Sequence, residues 1–175
     1  PTNIYFIYNY QQRNVLNLNV TGVDLDVRYA FDTAIGKIST GAGLSRKLKF
    51  DQSVGVGGQV FDVLGTAGFN TTFPSLKTEA RANLGWKRGP INTMLYVNYT
   101  GGYTNWSAGA VNPVVRTNGV PTSGGDPVKS NTTVDLNLSY ELDGRFKGTS
   151  VFVDGTNLLD KDPPFYNSAN GYDGV

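Results

Sequence analysis

A chain of 175 residues with no cysteine and no histidine excludes disulfide staples, thiolate catalysis and Cys-based zinc sites, and it lacks the commonest general base and metal ligand. Fifteen basic and 14 acidic residues leave a net charge of +1 without any basic run, so no electrostatic footprint for nucleic acid is present. With 22 glycines, eight prolines and 12% aromatic residues, the composition points to turn-rich β structure, and no apolar run approaches the roughly 18 residues of a transmembrane helix.

In chain order, residues 3–10, NIYFIYNY, are aromatic and leave strand and loop both open. A long strand is predicted over 16–32. Within it Val23, Leu25, Val27, Tyr29 and Phe31 alternate with Asp24, Asp26, Arg28 and Asp32, which makes one face greasy and the other charged. A short connection leads to a second strand over 36–50, where Ile38, Thr40, Ala42 and Leu44 share a parity. Residues 51–75 are Gly-rich with no sustained period and read as a loop. Strands follow over 76–87 and 90–104, joined by the tight KRGP at 87–90. Residues 107–129, with three prolines, read as a second loop. The strand over 131–143 repeats the first pattern, with Val134, Leu136, Leu138 and Tyr140 against Asp135, Asn137, Ser139 and Glu141. A last strand is predicted over 148–159, then a tail punctuated by Pro and Gly. The expected fold is all-β: six antiparallel strands in sequential order, with no parallel pair and no long helix.

Two regularities bear on which solvent meets each face. Connections alternate between short and long, the asymmetry of outer-membrane barrels, whose periplasmic turns are short and whose outer loops are large. Tyr29, Phe31, Trp86 and Tyr140 all lie on the apolar parity close to a short turn, as in an aromatic girdle at headgroup level. Nine-residue runs such as Val23 to Phe31 match the roughly 9–11 residues of a tilted membrane strand. The polar parity, with Asp24, Asp26, Arg28, Glu79, Arg81, Asp135 and Glu141, suits a wet lumen.

Other motifs carry less. The DLD at 24–26 and DKD at 160–162 lack the Gly-containing loop of an EF-hand, so no metal is expected. Asp135 and Glu141 lie six residues apart on one strand, about 20 Å by the strand rise, too far for paired glycosidase carboxylates. Neither an enzyme nor a cofactor is expected. Tyr103 and Trp106, at the outer end of the fourth strand, are the candidate contacts for a small-molecule substrate, because aromatic faces stack on ligand rings; the other reading places them in an outer girdle.

Four blocks together, GVDLDVRYAFDTAIGKISTGAGLSRKLKF, FPSLKTEARANLGWKRGPINTMLYVNYTGGYTN, TTVDLNLSYEL and GTNLLDKDPPFYNSANGYD, resemble the C-terminal barrel region of TonB-dependent outer-membrane receptors over residues 16–173. That resemblance implies that residues 1–175 are one partial barrel domain, about six strands of a 22-stranded wall. It implies a Gram-negative outer-membrane location, lipid as a partner, and import of a scarce nutrient such as a siderophore or an oligosaccharide with energy passed on by TonB. The plug, the TonB box and the final strand of the family pattern are absent from this sequence, so the chain alone is expected neither to transport nor to engage TonB, and its open strand edges are expected to self-associate. A soluble β-sandwich, such as a carbohydrate-binding module, is the alternative: there the apolar faces pack on one another.

Overall fold

The computed structural model describes residues 16–54, 57–67, 74–105 and 127–166. Six strands build the main sheet: β1 (Leu16–Thr33), β2 (Gly36–Val54), β5 (Thr78–Arg88), β6 (Ile91–Thr100), β9 (Asn131–Glu141) and β10 (Ser150–Gly155). Each pairs antiparallel with its neighbour in that order, as the alternation predicts. Residues 3–10 lie outside the described residues. No helix among them is long and apolar enough to cross a membrane, which does not bear on strands.

The register gathers most apolar side chains of the middle of the sheet on one face and most polar ones on the other. Val27, Ala42, Ala82, Val97 and Val134 form one row across the sheet, and Tyr29, Thr40, Leu84, Leu95 and Leu136 form the next. Phe31, Ile38, Trp86, Thr93 and Leu138 make a third row, nearer the short turns. On the opposite side Arg28, Gly41, Asn83, Tyr96 and Asp135 are aligned, beside a row of Asp26, Gly43, Arg81, Asn98 and Thr133. Because side chains alternate with period two, a register fixed at one pair fixes both faces.

A β-bulge delimits the apolar band. Thr21 pairs with Lys49 but Gly22 with Lys47, so Leu48 is the extra residue of β2. Beyond it Asn19 and Thr21 continue the side of Val23 and face Asp51 and Lys49, which form a 2.8 Å ion pair. Leu18 and Val20 instead share the side of Asp24, opposite Gln52 and Phe50. The extra residue shifts the parity of β2, so that Lys49 and Asp51 share the side of Thr21 and Asn19 and the greasy surface ends there. The Asp51 carboxylate, by hydrogen bond first and by charge second, holds Lys49 above the ordinary lysine range.

The long-connection end departs from the sequence expectation. Residues 51–75 are not a plain loop: β2 runs on to Val54, β3 (Val60–Asp62) pairs with it, and β4 (Thr66–Ala67) belongs to a second, three-stranded sheet with β7 (Tyr103–Asn105) and β8 (Pro127–Val128). The β4–β7 pair is parallel, a pairing not expected from sequence. The predicted strand 90–104 is therefore two elements. Gly101 and Gly102 separate β6 from β7, and a Cβ on Gly102 would stand 2.6 Å from the carbonyl oxygen of Val128, so only glycine lets the two backbones approach so closely. A small core of Ala67, Leu76, Tyr103 and Val128, with Tyr166 packed against it, lies here.

The final strand is also shorter than 148–159. A 3-10 turn, Gly144–Phe146, capped by the Asp143 side chain, precedes β10, and β10 ends at Gly155. The chain then enters a turn in which the Asn157 amide donates to the Lys161 carbonyl at 3.1 Å while its carbonyl oxygen accepts from the Lys161 N–H at 3.0 Å. Asn157 and Asp160 have φ of 50° and 47°, a conformation Asn and Asp tolerate better than other side chains. The NLLDK block is thus a closed turn.

Candidate functional site

The polar face of the main sheet carries several separate cross-strand side-chain contacts. Asn98 donates to Asp135 at 2.7 Å and to the Thr133 hydroxyl at 3.3 Å, and Asp135 also accepts the Asn157 backbone N–H at 2.9 Å. Asn137 donates to Asp154. Lys47 and Glu79 pair at 3.2 Å. Cross-strand polar pairs of this kind fix neighbouring strands while staying compatible with water.

At the β1 side of this face lies an open trough of about 360 Å³. Gly41 and Gly43 of β2 have no side chains to fill it, so its floor is backbone and its walls come from β1 and β5, about 10 Å apart across the intervening strand. On one wall Arg28 Nε contacts Asp26 Oδ1 at 2.9 Å, with a second contact of 3.3 Å between Nη2 and Oδ2. On the other wall Arg81 lies over the Tyr96 ring, its Cζ 4.2 Å from the centroid, a cation–π contact. Arg81 forms no ion pair among the described residues. A larger depression of about 700 Å³ lies between the two short turns, lined by Pro90, Tyr140, Asp143, Lys147 and Thr149 among others; it gathers no comparable set of charged donors.

Tyr103, a candidate substrate contact, sits in the loop-end core. It is 7% exposed, and its ring centroid stands 6.2 Å from that of Tyr166. Its faces are occupied by packing and not presented to solvent. Trp106, its predicted companion, lies outside the described residues. Sequence reading had no means to find this burial, because the rings that meet come from opposite ends of the second half of the chain. It equally missed the trough as a unit: Asp26, Arg28 and Arg81 were recognisable as charges on the polar parity, but the glycines between them read as turn formers. Asp24, Asp26, Asp160 and Asp162 do not gather into a metal site, and no group of three or more potential metal ligands occurs among the described residues.

The apolar face has its own organisation. Trp86 donates its indole N–H to the Ile35 carbonyl at 3.0 Å, Tyr29 and Phe31 have centroids 5.6 Å apart, and Tyr140 lies opposite Ile91 and Val151 at the same end. The four aromatics thus occupy adjacent rows near the short turns. Arg46 and Thr78 stand in the row of Val23 at the loop-end edge of the band, and Arg88 at its turn-end edge.

The fold defines an all-β protein with an antiparallel meander, one face apolar and the other polar. No family model matches the chain, and neither a curated protein nor a solved structure matches it.

Proposed function

We propose that this chain is part of the wall of an outer-membrane transport barrel of the TonB-dependent receptor class, with the apolar face against lipid and the polar face lining a water-filled lumen. The observation that carries this reading is an apolar face left uncovered. Leu25 and Val27 are 56% and 55% exposed and Leu84 is 52% exposed, and the small core of the described residues lies in the second sheet instead of against these rows. A water-soluble domain does the reverse, because burying apolar area is its main source of stability. In lipid the exposed rows incur no such penalty, and the residues that need water or a hydrogen bond turn inward.

Three further features support it. The apolar band from Val23 to Phe31 ends at a bulge on one side and near a tight turn on the other, giving the nine residues a tilted crossing uses. Its aromatics cluster at one end, as interfacial rings do. The short connections lie at that same end and the second sheet lies at the opposite one. A β-sandwich requires a partner layer on Val27, Leu84 and Leu138, and the small second sheet instead closes the core around Tyr103. Nutrient import energised through TonB is the function this wall would serve, the plug and the TonB contact being supplied by a region outside this sequence.

Flotation with lipid vesicles tests the reading. Diluted from denaturant in the presence of vesicles, the chain is expected to float with them and to resist extraction by high salt. A monomer that stays stable in plain buffer and remains in the aqueous fraction would refute the lipid assignment.

A further inference from the structure

We propose that the trough over Gly41 and Gly43 is a binding subsite for a small hydroxy acid, a molecule whose carboxylate stands beside hydroxyl groups. This names a substrate class for the lumen reading and rests on it. Two guanidiniums, Arg28 and Arg81, flank the trough against one carboxylate, Asp26, so its balance of charge is +1. The two cations are in different states. Arg28 is committed to Asp26 through two contacts, whereas Arg81 lies over Tyr96 and pairs with no carboxylate among the described residues. A planar guanidinium that packs on a ring and has no ion pair among the described residues can take a carboxylate through two parallel hydrogen bonds.

The second half of the specificity comes from Asp26. Its oxygens each keep a lone pair after meeting Arg28, and it leans over Gly43, where an added Cβ would lie 3.6 Å from Oδ2. A ligand carboxylate on Arg81 therefore has a hydroxyl acceptor across the glycine floor. The Asn83 amide, within 2.9 Å of where a Cβ on Gly41 would stand, supplies a further donor and acceptor at the other end. Donors that want an anion and acceptors that want a hydroxyl thus converge in a space of about 360 Å³. A purely neutral polyol would leave Arg81 unpaired, and a simple inorganic anion would leave Asp26 opposed by like charge.

The test uses the full chain in detergent micelles, D-glucuronate as the probe and D-glucose as its neutral counterpart, with the Arg Nε–Hε resonances followed by NMR. Glucuronate is expected to shift the Arg81 signal saturably and glucose to leave it in place. Arg81→Gln and Gly43→Val are each expected to weaken binding about tenfold or more, as loss of a charge-assisted contact does. The second keeps every charge and fills only the floor, with a β-branched residue that strands accept. Lys87→Gln, on the same face but outside the trough, is expected to change nothing. A Gly43→Val variant that binds normally, or equal weakening by Lys87→Gln, would overturn the subsite in favour of diffuse attraction. Quenching of Trp86 by brominated lipid, in a Trp106→Phe background, reports the face assignment separately in vesicles. Quenching without glucuronate binding would sink the subsite alone, and absence of quenching would sink the lumen reading and the subsite with it.

Discussion

Asp135 of β9 and Asn157 of the following turn are joined by a 2.9 Å hydrogen bond from the Asn157 backbone N–H to Asp135 Oδ1. The same carboxylate takes the Asn98 amide at 2.7 Å. One side chain thereby fastens β6, β9 and the turn after β10. We predict that Asp135→Ala destabilises the folded chain by about 1–3 kcal/mol, since two donors lose their acceptor. Asp135→Asn keeps one acceptor oxygen and is expected to cost less. Denaturant titrations in micelles compare them, and equal stability of Asp135→Ala and the parent would show that the carboxylate does not hold the turn.

Asn157 combines a positive φ with reciprocal bonds to Lys161. Asn157→Gly keeps the backbone conformation and removes the amide, whereas Asn157→Val removes the amide and adds strain. The expected order of stability is Asn, Gly, Val, with Val costing about 1–3 kcal/mol. A valine variant as stable as the glycine variant would contradict the assigned backbone.

Trp86 spans the short β1–β2 turn by donating to the Ile35 carbonyl. Trp86→Phe keeps a ring at the band's edge and loses that donor, with an expected loss of about 1 kcal/mol. Amide exchange around residues 33–36 is expected to quicken with it, and unchanged exchange there would show that the bond does not restrain the turn.

Gly102 separates the main sheet from the small one. A Cβ there meets the Val128 carbonyl oxygen at 2.6 Å, so Gly102→Ala is expected to cost about 1–3 kcal/mol as overpacking. The damage is expected to stay local. Hydrogen exchange should accelerate at Tyr103–Asn105 and remain unchanged across Leu84, Leu95 and Leu136; uniform acceleration would mean that the two sheets unfold as one.

The meander and both faces were legible in the sequence because period-two alternation runs unbroken through Val23 to Phe31 and Val134 to Tyr140, and register then follows from turn length. What lay hidden was non-local or one residue in size. Between Val20 and Val23 the apolar parity switches inside the predicted strand 16–32, and the bulge that meets it, Leu48, lies on the partner strand, where no local pattern marks it. The second sheet joins two- and three-residue strands from distant parts of the chain, too short to carry any period. The Arg81–Tyr96 contact crosses from β5 to β6 on one face, and only the register brings that pair together beside the glycines.

The faces themselves can be tested by two arginines placed at neighbouring positions. Leu136 lies in the row of Tyr29, Leu84 and Leu95, well inside the apolar band, while Asn137 points to the polar side and bonds Asp154. In lipid vesicles Leu136→Arg puts a charge near the bilayer midplane, at an expected cost of about 2–4 kcal/mol. Asn137→Arg stays hydrated beside the Asp154 carboxylate and is expected to cost little. Unfolding titrations of the two variants in the same vesicles give the comparison directly. A far larger loss for Leu136→Arg is the expected result, and an equal or larger loss for Asn137→Arg would contradict a lipid-facing apolar side.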